Sequence, residues 1–210
     1  MKHIVLLGDS VFDNKVYVNG GLDVIAQVRQ RIPDGWRASL RAVDGSVVEN
    51  ARKQALDLPA DATHLVISAG GNDAILNADV LQQKVASSAE VLDKLADIAC
   101  EFEYRYREML QSVLNLKKAT AVCTIYYPRI PEPFMQKIAV AALATFNDVI
   151  IRQAFLAGVP LIDMRLVCDE DSDYANEIEP SEKGGGKIAN AIVRLVSEHN
   201  FESRRTEVFI

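Results

Sequence analysis

The chain has 210 residues, of which 49% are hydrophobic and 25% are charged, and its formal net charge is −6. These proportions are typical of a soluble globular protein and exclude the collagen-like, low-complexity and disordered classes. The acidic balance provides no positive surface for phosphate backbones or anionic lipids, so we expect neither nucleic acid nor a membrane as a partner.

The apolar runs of the sequence are short. The early run at 4–7 is too short for a signal peptide or a membrane helix, and no later stretch holds ~18 uncharged apolar residues. The three cysteines have no CxxC spacing, which is typical of free thiols in a reducing compartment. We therefore expect a cytoplasmic protein, and because no shift in composition marks a boundary, a single domain over residues 1–210.

Strand-like and helix-like segments alternate along the chain. The sequence predicts strands at 3–7, 36–43, 65–67, 121–125 and 159–162. Apolar residues spaced by three and four predict helices at 22–32, 47–58, 134–156 and 184–198, and a long helical stretch at 79–116 that contains one or two helices. The segment 202–210 has no clear pattern.

Four of the five predicted strands are apolar on both faces, which favours a parallel sheet covered by helices on both sides. In such a sheet the binding crevice lies beyond the carboxyl ends of the strands. Small and polar residues do follow the strands, in chain order as Gly8-Asp9-Ser10, Asp44-Gly45-Ser46, Gly70-Gly71-Asn72-Asp73, Tyr126-Tyr127-Pro128 and Glu179-Pro180-Ser181. Glycines allow a ligand to approach the backbone, and amide groups are donors that suit a developing oxyanion.

The content and order of these motifs resemble the SGNH or GDSL hydrolases, a family of esterases and acylhydrolases. The resemblance implies a three-layer α/β/α sandwich around a flavodoxin-like, five-stranded parallel sheet. It also implies that Ser10 is the nucleophile and that the oxyanion hole is formed by Ser10, Gly45 and Asn72. The reaction it implies is cleavage of a small-molecule ester through an acyl-enzyme, without metal or cofactor.

The last motif departs from the family pattern at the catalytic base. The family has Asp, two further residues and His-Pro before the last helix, whereas Asn176 and Glu179 stand at the Asp and His positions here. The three histidines of the chain do not replace the missing one, because they lie at the start of two strands and after the last helix: His3, His64 and His199.

Three interpretations of Glu179 follow. It is the general base that takes the proton of Ser10, or a solvated carboxylate that stabilises the following helix N-terminus by ~0.3–1 kcal/mol. In the third interpretation the loss of histidine has left a catalytically silent module that binds an acyl, carbohydrate or protein ligand.

A carboxylate is a weaker base than histidine near neutral pH, because the reference pKa of Glu, ~4.3, is ~2 units lower. Burial in the cleft would raise the pKa of Glu179, and a hydrogen bond donated by Asn176 would orient the carboxylate and lower that pKa. If Glu179 is the base, the sequence predicts activity that persists below pH 6.

Two further residues belong to the predicted crevice. We interpret Asp9 as a supporting residue that accepts hydrogen bonds from nearby backbone amides. Tyr127 either lines the pocket or packs against its surroundings. The sequence indicates neither the acyl and alcohol groups of the substrate nor the oligomeric state.

One acidic segment has the first spacing of an EF-hand calcium loop, at Asp169, Asp171 and Asp173. Tyr174 stands where that loop needs glycine, and Pro180 where it needs a bidentate Glu. We therefore predict no metal site and interpret the segment as a solvated, mobile acidic loop beside the cleft.

Overall fold

A six-stranded, all-parallel sheet forms the centre of the computed structural model, which describes residues 2–210. The strands are β1 (His3–Gly8), β2 (Arg37–Leu40), β3 (His64–Ser68), β4 (Ala119–Cys123), β5 (Leu161–Ile162) and β6 (Val208–Phe209), in the order β2-β1-β3-β4-β5-β6. The predicted flavodoxin-like α/β fold is confirmed, with one strand more than expected. That strand, β6, was missed because two residues are too few to show an alternating pattern.

Seven α-helices connect the strands of the described chain: α1 (Val24–Arg31), α2 (Val48–Gln54), α3 (Gly71–Leu76), α4 (Ser88–Leu114), α5 (Pro133–Ala157), α6 (Met164–Val167) and α7 (Glu182–Glu198). The segment predicted as helical throughout 79–116 is instead a 3₁₀ turn at Ala78–Gln82 followed by α4, whose first turn is capped by the side chain of Ser87. α3 and α6 are too short to be predicted from periodicity.

The sheet has a hydrophobic core on each face, because successive side chains of a strand point to opposite sides. Ile4 and Leu6 of β1 join the core formed with α1 and α7. Val5 and Leu7 join the core formed with α2, α4 and α5. The result is the three-layer α/β/α arrangement, in which β1 and β3 are buried along their whole length.

The connections after β1 and β3 diverge. These two strands are neighbours, yet the chain after β1 leads to α1 on one face and the chain after β3 leads to α4 on the other. In an open parallel sheet, this divergence leaves a crevice beyond the carboxyl ends of the two strands.

One helix of the described chain, α5, is long and apolar enough to cross a membrane by length and composition alone. In this fold its second half packs on the sheet through Phe146, Ile150 and Ala154. Its first half has no fully buried residue, and Ala139 and Ala142 form part of a cavity wall. The apolar character of α5 therefore serves both the core and the cavity.

Candidate active site

Hydrogen bonds hold together the loops that follow β1, β2 and β3. The side chain of Gln54 accepts from the Gly8 N–H at 2.7 Å and donates to the Gly8 carbonyl at 2.9 Å. The same amide group donates to the Ser46 hydroxyl at 3.2 Å, and Nδ2 of Asn72 donates to the Ser46 carbonyl at 3.0 Å. Three predicted motifs that are far apart in sequence therefore meet at one edge of the sheet.

Gly8 allows the two central strands to approach each other at this edge. It pairs with Ser68 of β3 and has a φ of 125°, and a Cβ atom here would lie 1.6 Å from the Ser68 carbonyl oxygen. Only glycine fits such a position. The chain then turns away from the sheet and presents Ser10 directly beyond the strand.

Ser10 and Asn72 line a shared cavity, and Ser10 is only 8% exposed. Gly45 lies outside the cavity wall, in an exposed turn with a φ of 77°. Within residues 2–210, neither the Ser10 nor the Gly45 N–H group makes a hydrogen bond. Both amides therefore remain available as donors, next to an Asn72 side chain that is fixed by its bond to the Gly45–Ser46 turn.

A tight turn at 176–179 delivers Glu179 to the same cavity. Oδ1 of Asn176 accepts from the N–H groups of Ile178 and Glu179, both at 2.9 Å. The hydrogen bond expected from Asn176 to the Glu179 carboxylate is absent, because this exposed side chain is engaged with its own backbone. Asn176 thus shapes the turn and does not contact the carboxylate.

Asn14, which the sequence analysis did not name, and Tyr126, which it named only as part of the motif after the fourth strand, tie this turn to the rest of the site. Nδ2 of Asn14 donates to the Pro180 carbonyl at 3.1 Å, while its Oδ1 accepts from the Val24 N–H at 2.9 Å. The Tyr126 hydroxyl donates to the Ile178 carbonyl at 2.6 Å. Asn14 belongs to no recognisable motif, and its position shortly after β1 was the only available signal.

Tyr126, and not Tyr127, lines the cavity. The Tyr127 side chain lies near Arg165, and its carbonyl accepts from the Tyr174 hydroxyl at 2.8 Å. Adjacent side chains of a strand-like segment point to opposite sides, so only one of the two tyrosines faces the cavity. Of the two roles considered for Tyr127, packing is the one observed.

Three carboxyl groups at this edge of the sheet have raised pKa values, those of Asp9, Asp73 and Glu179, and burial is the largest cause in each. Burial raises the pKa of Glu179 to about 7, while the nearby Ser10 hydroxyl opposes the rise and the charge of Asp44 adds to it. Burial also raises the pKa of Asp9 to about 7, where the Val11 N–H, bound to Oδ1 at 3.2 Å, opposes the rise and the charge of Glu179 adds to it. The site therefore disfavours two negative charges at once.

One oxygen of Glu179 remains without a partner. Glu179 is only 6% exposed, and its Oε2 atom is fully buried. This oxygen makes no hydrogen bond within the described part of the chain. The Ser10 hydroxyl lies near enough to lower the pKa of this carboxyl group. Such loosely aligned contacts are common between catalytic groups before a substrate binds.

The acidic segment before this turn is anchored, contrary to the expectation of a mobile, solvated loop. Lys187 of α7 binds Asp169 and Asp173 at 2.8 Å each and Glu170 at 3.3 Å, and Asp173 is fully buried. The Asp173 carbonyl accepts from the Ser181 N–H at 2.8 Å. Cations on α7 neutralise the segment, which thereby fixes the chain on both sides of Glu179. No cluster of three or more potential ligands for a metal ion occurs among the described residues.

The histidines lie at the opposite edge of the sheet. His3 and His64 begin β1 and β3, whereas Ser10 follows the other end of β1. His64 contacts Phe201, which in turn contacts His199. In a parallel sheet the two edges are separated by the full strand length, so none of these histidines faces Ser10.

A family model for GDSL-like lipases and acylhydrolases matches residues 6–185, a range that includes every motif at this edge of the sheet. The chain belongs to the GDSL-like lipase/acylhydrolase family. Membership of this family supports a hydrolase that acts on esters. It does not identify the group that replaces the histidine base.

Solved structures of GDSL-like and other esterases share the fold. The extracellular lipase from Streptomyces rimosus is 16% identical with a TM-score of 0.65, and the match covers 95% of this chain and 100% of that one. The lipase/acylhydrolase from Enterococcus faecalis is 18% identical with a TM-score of 0.63, covering 93% and 95%. The acetyl xylan esterase AlAXEase is 15% identical with a TM-score of 0.64, covering 90% and 96%. No curated protein matches the chain significantly.

Proposed function

We propose that this member of the GDSL-like family is a serine esterase that cleaves a small carboxylic ester through an acyl-enzyme on Ser10, with Glu179 as the general base. The observation that carries the proposal is the position of the Glu179 carboxyl group, which is buried in the cavity with one oxygen unpartnered and with the Ser10 hydroxyl beside it. A solvated carboxylate at a helix N-terminus would have neither property.

In the first step, the Glu179 carboxylate takes the proton of the Ser10 hydroxyl while Oγ attacks the ester carbonyl. A base is most effective when its pKa lies near the working pH, and burial raises the pKa of Glu179 to about 7. Burial therefore removes much of the disadvantage of a carboxylate compared with histidine.

The charge balance differs from that of a serine–histidine pair. Histidine would become a cation beside the oxyanion, whereas Glu179 becomes neutral and its negative charge passes to the substrate oxygen. The oxyanion then depends on hydrogen-bond donors alone, for which we propose the N–H groups of Ser10 and Gly45 and the Asn72 side chain. Asp9, whose pKa is also about 7, limits repulsion by retaining its proton for part of the time.

The later steps reverse the movement of the proton. Neutral Glu179 protonates the leaving alcohol as its bond to the acyl carbon breaks, which leaves the acyl group on Ser10. Glu179 then removes a proton from a water molecule that attacks the acyl carbon, and returns it to Oγ as the acid departs. Ser10 and Glu179 end in their starting states.

Hydrolysis of p-nitrophenyl acetate and p-nitrophenyl butanoate tests this function, with Ser10→Ala as the inactive variant and exposed Ser197→Ala as the matched control. We expect turnover by the natural protein and by the control, none by Ser10→Ala, and labelling by a fluorophosphonate only where Ser10 is present. Equal rates in all three proteins would refute the role of Ser10. The absence of both turnover and labelling would instead favour the silent binding module.

A further inference from the structure

The cavity beside Ser10 extends from the sheet edge into a largely apolar space between helices. Asp9, Ser10 and Asn72 provide its polar wall at the ends of β1 and β3. The facing wall comes from the rest of α3, the Ala78–Gln82 turn, α4 and α5, and its side chains are apolar apart from Asn77. The Asn77 amide is engaged, since Nδ2 donates to the Asp73 carbonyl at 2.8 Å.

Small residues on α5 and on the segment facing it leave this space open. Ala139 and Ala142 lie three residues apart, which places them on one face of α5, and both line the cavity. Ala74 and Ala78 line it from α3 and the following turn. A larger side chain at any of these positions would occupy the cavity.

The volume of the cavity limits the size of the group that can bind in it. It measures about 180 Å³. An apolar cavity of roughly 150 Å³ in another protein accommodates benzene, a ring of six carbons. The space beside Ser10 therefore suits a chain of slightly more than six carbons.

Aromatic packing closes the side of the cavity that Phe146 and Ile98 form. Phe146 and Ile98 line this cavity and also a second one of about 10 Å³, which is too small for a chain to continue into. Phe146 is 4% exposed and packs against Phe102 with 4.8 Å between ring centroids. The cavity thus has a fixed end.

The two halves of an ester meet different surroundings at this site. The leaving oxygen must lie near Glu179, which protonates it, and the exposed turn that contains Asp44 and Gly45 lies outside the cavity wall. Tyr17, whose hydroxyl donates to Asp44 at 2.7 Å, adds a further polar group there. The alcohol half therefore has polar, open surroundings, and the apolar cavity is left for the acyl half.

We infer that the acyl group is an unbranched chain of about six to eight carbons, bound in the apolar cavity between the Ala78–Gln82 turn, α4 and α5. This inference rests on the proposed function and narrows it, because it assigns the site to medium-chain acyl esters in preference to acetyl esters. An acetyl group would leave most of the cavity unfilled.

A series of p-nitrophenyl esters from acetate to dodecanoate tests the inference. We expect kcat/KM to rise about fourfold for each added methylene, the equivalent of ~0.8 kcal/mol, until the chain reaches about six to eight carbons. Longer chains should give no further gain, because Phe146 closes the cavity. Highest activity on the acetate would overturn the inference and would leave the esterase function intact.

A pair of variants, one that fills the cavity and one that does not, tests the same inference. In Ala142→Leu the ratio of octanoate to acetate kcat/KM should fall at least about tenfold, because the added side chain takes the place of roughly three buried carbons. Ala141→Leu makes the same change at the exposed neighbouring position and should leave the ratio unchanged. Equal ratios in the two variants would contradict binding of the chain in this cavity.

Binding without turnover separates the two proposals. Saturation-transfer NMR with the Ser10→Ala protein compares methyl octanoate with methyl acetate. Preferential binding of the octanoate, lost on adding Ala142→Leu, would support the acyl cavity even if no ester is hydrolysed. Equal signals for the two esters would overturn it, whatever the result of the esterase assay.

Discussion

Asn14 binds Pro180 and thereby joins the segment after Ser10 to the turn that carries Glu179. Its side-chain amide donates to the Pro180 carbonyl at 3.1 Å, and its side-chain oxygen accepts from the Val24 N–H at the start of α1. Asn14 is fully buried, so water cannot replace either bond. The separation between Ser10 and Glu179 thus depends on Asn14, which does not line the cavity and makes no hydrogen bond to the Glu179 carboxylate.

Asn14→Ala should therefore reduce both stability and activity. The free energy of unfolding should fall by ~1–3 kcal/mol, because a buried carbonyl and a buried N–H lose their partner. A positioning role additionally predicts a lower kcat and a displaced acid limb of the pH–rate profile, measured under conditions where the variant is fully folded. Exposed Asn115→Ala is the control. An unchanged pH profile and kcat would contradict the positioning role and show that Asn14 only stabilises the fold.

The pH dependence of ester hydrolysis should report the buried carboxyl group. Burial raises the pKa of Glu179 to about 7, so kcat/KM should fall about tenfold per pH unit below that value. From the sequence we expect activity to persist below pH 6 if Glu179 is the base, whereas a pKa of about 7 predicts that kcat/KM is already about tenfold lower at pH 6. Added organic solvent should move the acid limb to higher pH, because ionisation of a neutral carboxylic acid creates charge. If organic solvent leaves the pH of the acid limb unchanged, the titrating group is a cationic acid and not Glu179.

Glu179→Gln should lower the activity and increase the free energy of unfolding above neutral pH. Loss of the base should lower kcat by ~10²–10⁴-fold. The folded chain binds the Glu179 proton more tightly than the unfolded chain, so the free energy of unfolding falls as pH rises from 4.5 to about 7. The variant escapes this penalty and should gain roughly 3 kcal/mol at pH 8 and little at pH 4. Urea unfolding at both pH values measures the gain, and a gain of equal size at both would contradict the assignment.

Glu179→His introduces the residue type that the family resemblance implies at this position. If the turn places its side chain beside Ser10, the variant should retain ester hydrolysis, with an acid limb near the ordinary histidine pKa of ~6.5. Because imidazolium ionises without net creation of charge, that limb should not respond to organic solvent. The natural protein, measured in parallel, supplies the contrast. Loss of hydrolysis in a folded variant would show that the site depends on the shape and charge of a carboxylate.

Much of the site was predictable because its parts are local patterns. Gly8-Asp9-Ser10, Gly45 and Asn72 follow strands whose apolar runs stand out in the sequence, and parallel strands bring their carboxyl ends to one edge. Hydrogen bonds through Gln54 and Ser46 confirm that these loops meet. Contacts that join distant segments, such as Asn14 with Pro180, leave no periodic trace and were not predicted.

The sequence by itself determined the parallel α/β sheet and the order of the motifs, since each of these depends on residue types at short spacings. Only the tertiary structure decided that Tyr126 faces the cavity, that Asn176 binds backbone amides, and that Lys187 anchors the acidic segment. It also decided that burial brings the pKa of Glu179 to about 7. The free energy of ionisation depends on how much water surrounds a group, and the chain sets that quantity only when it folds.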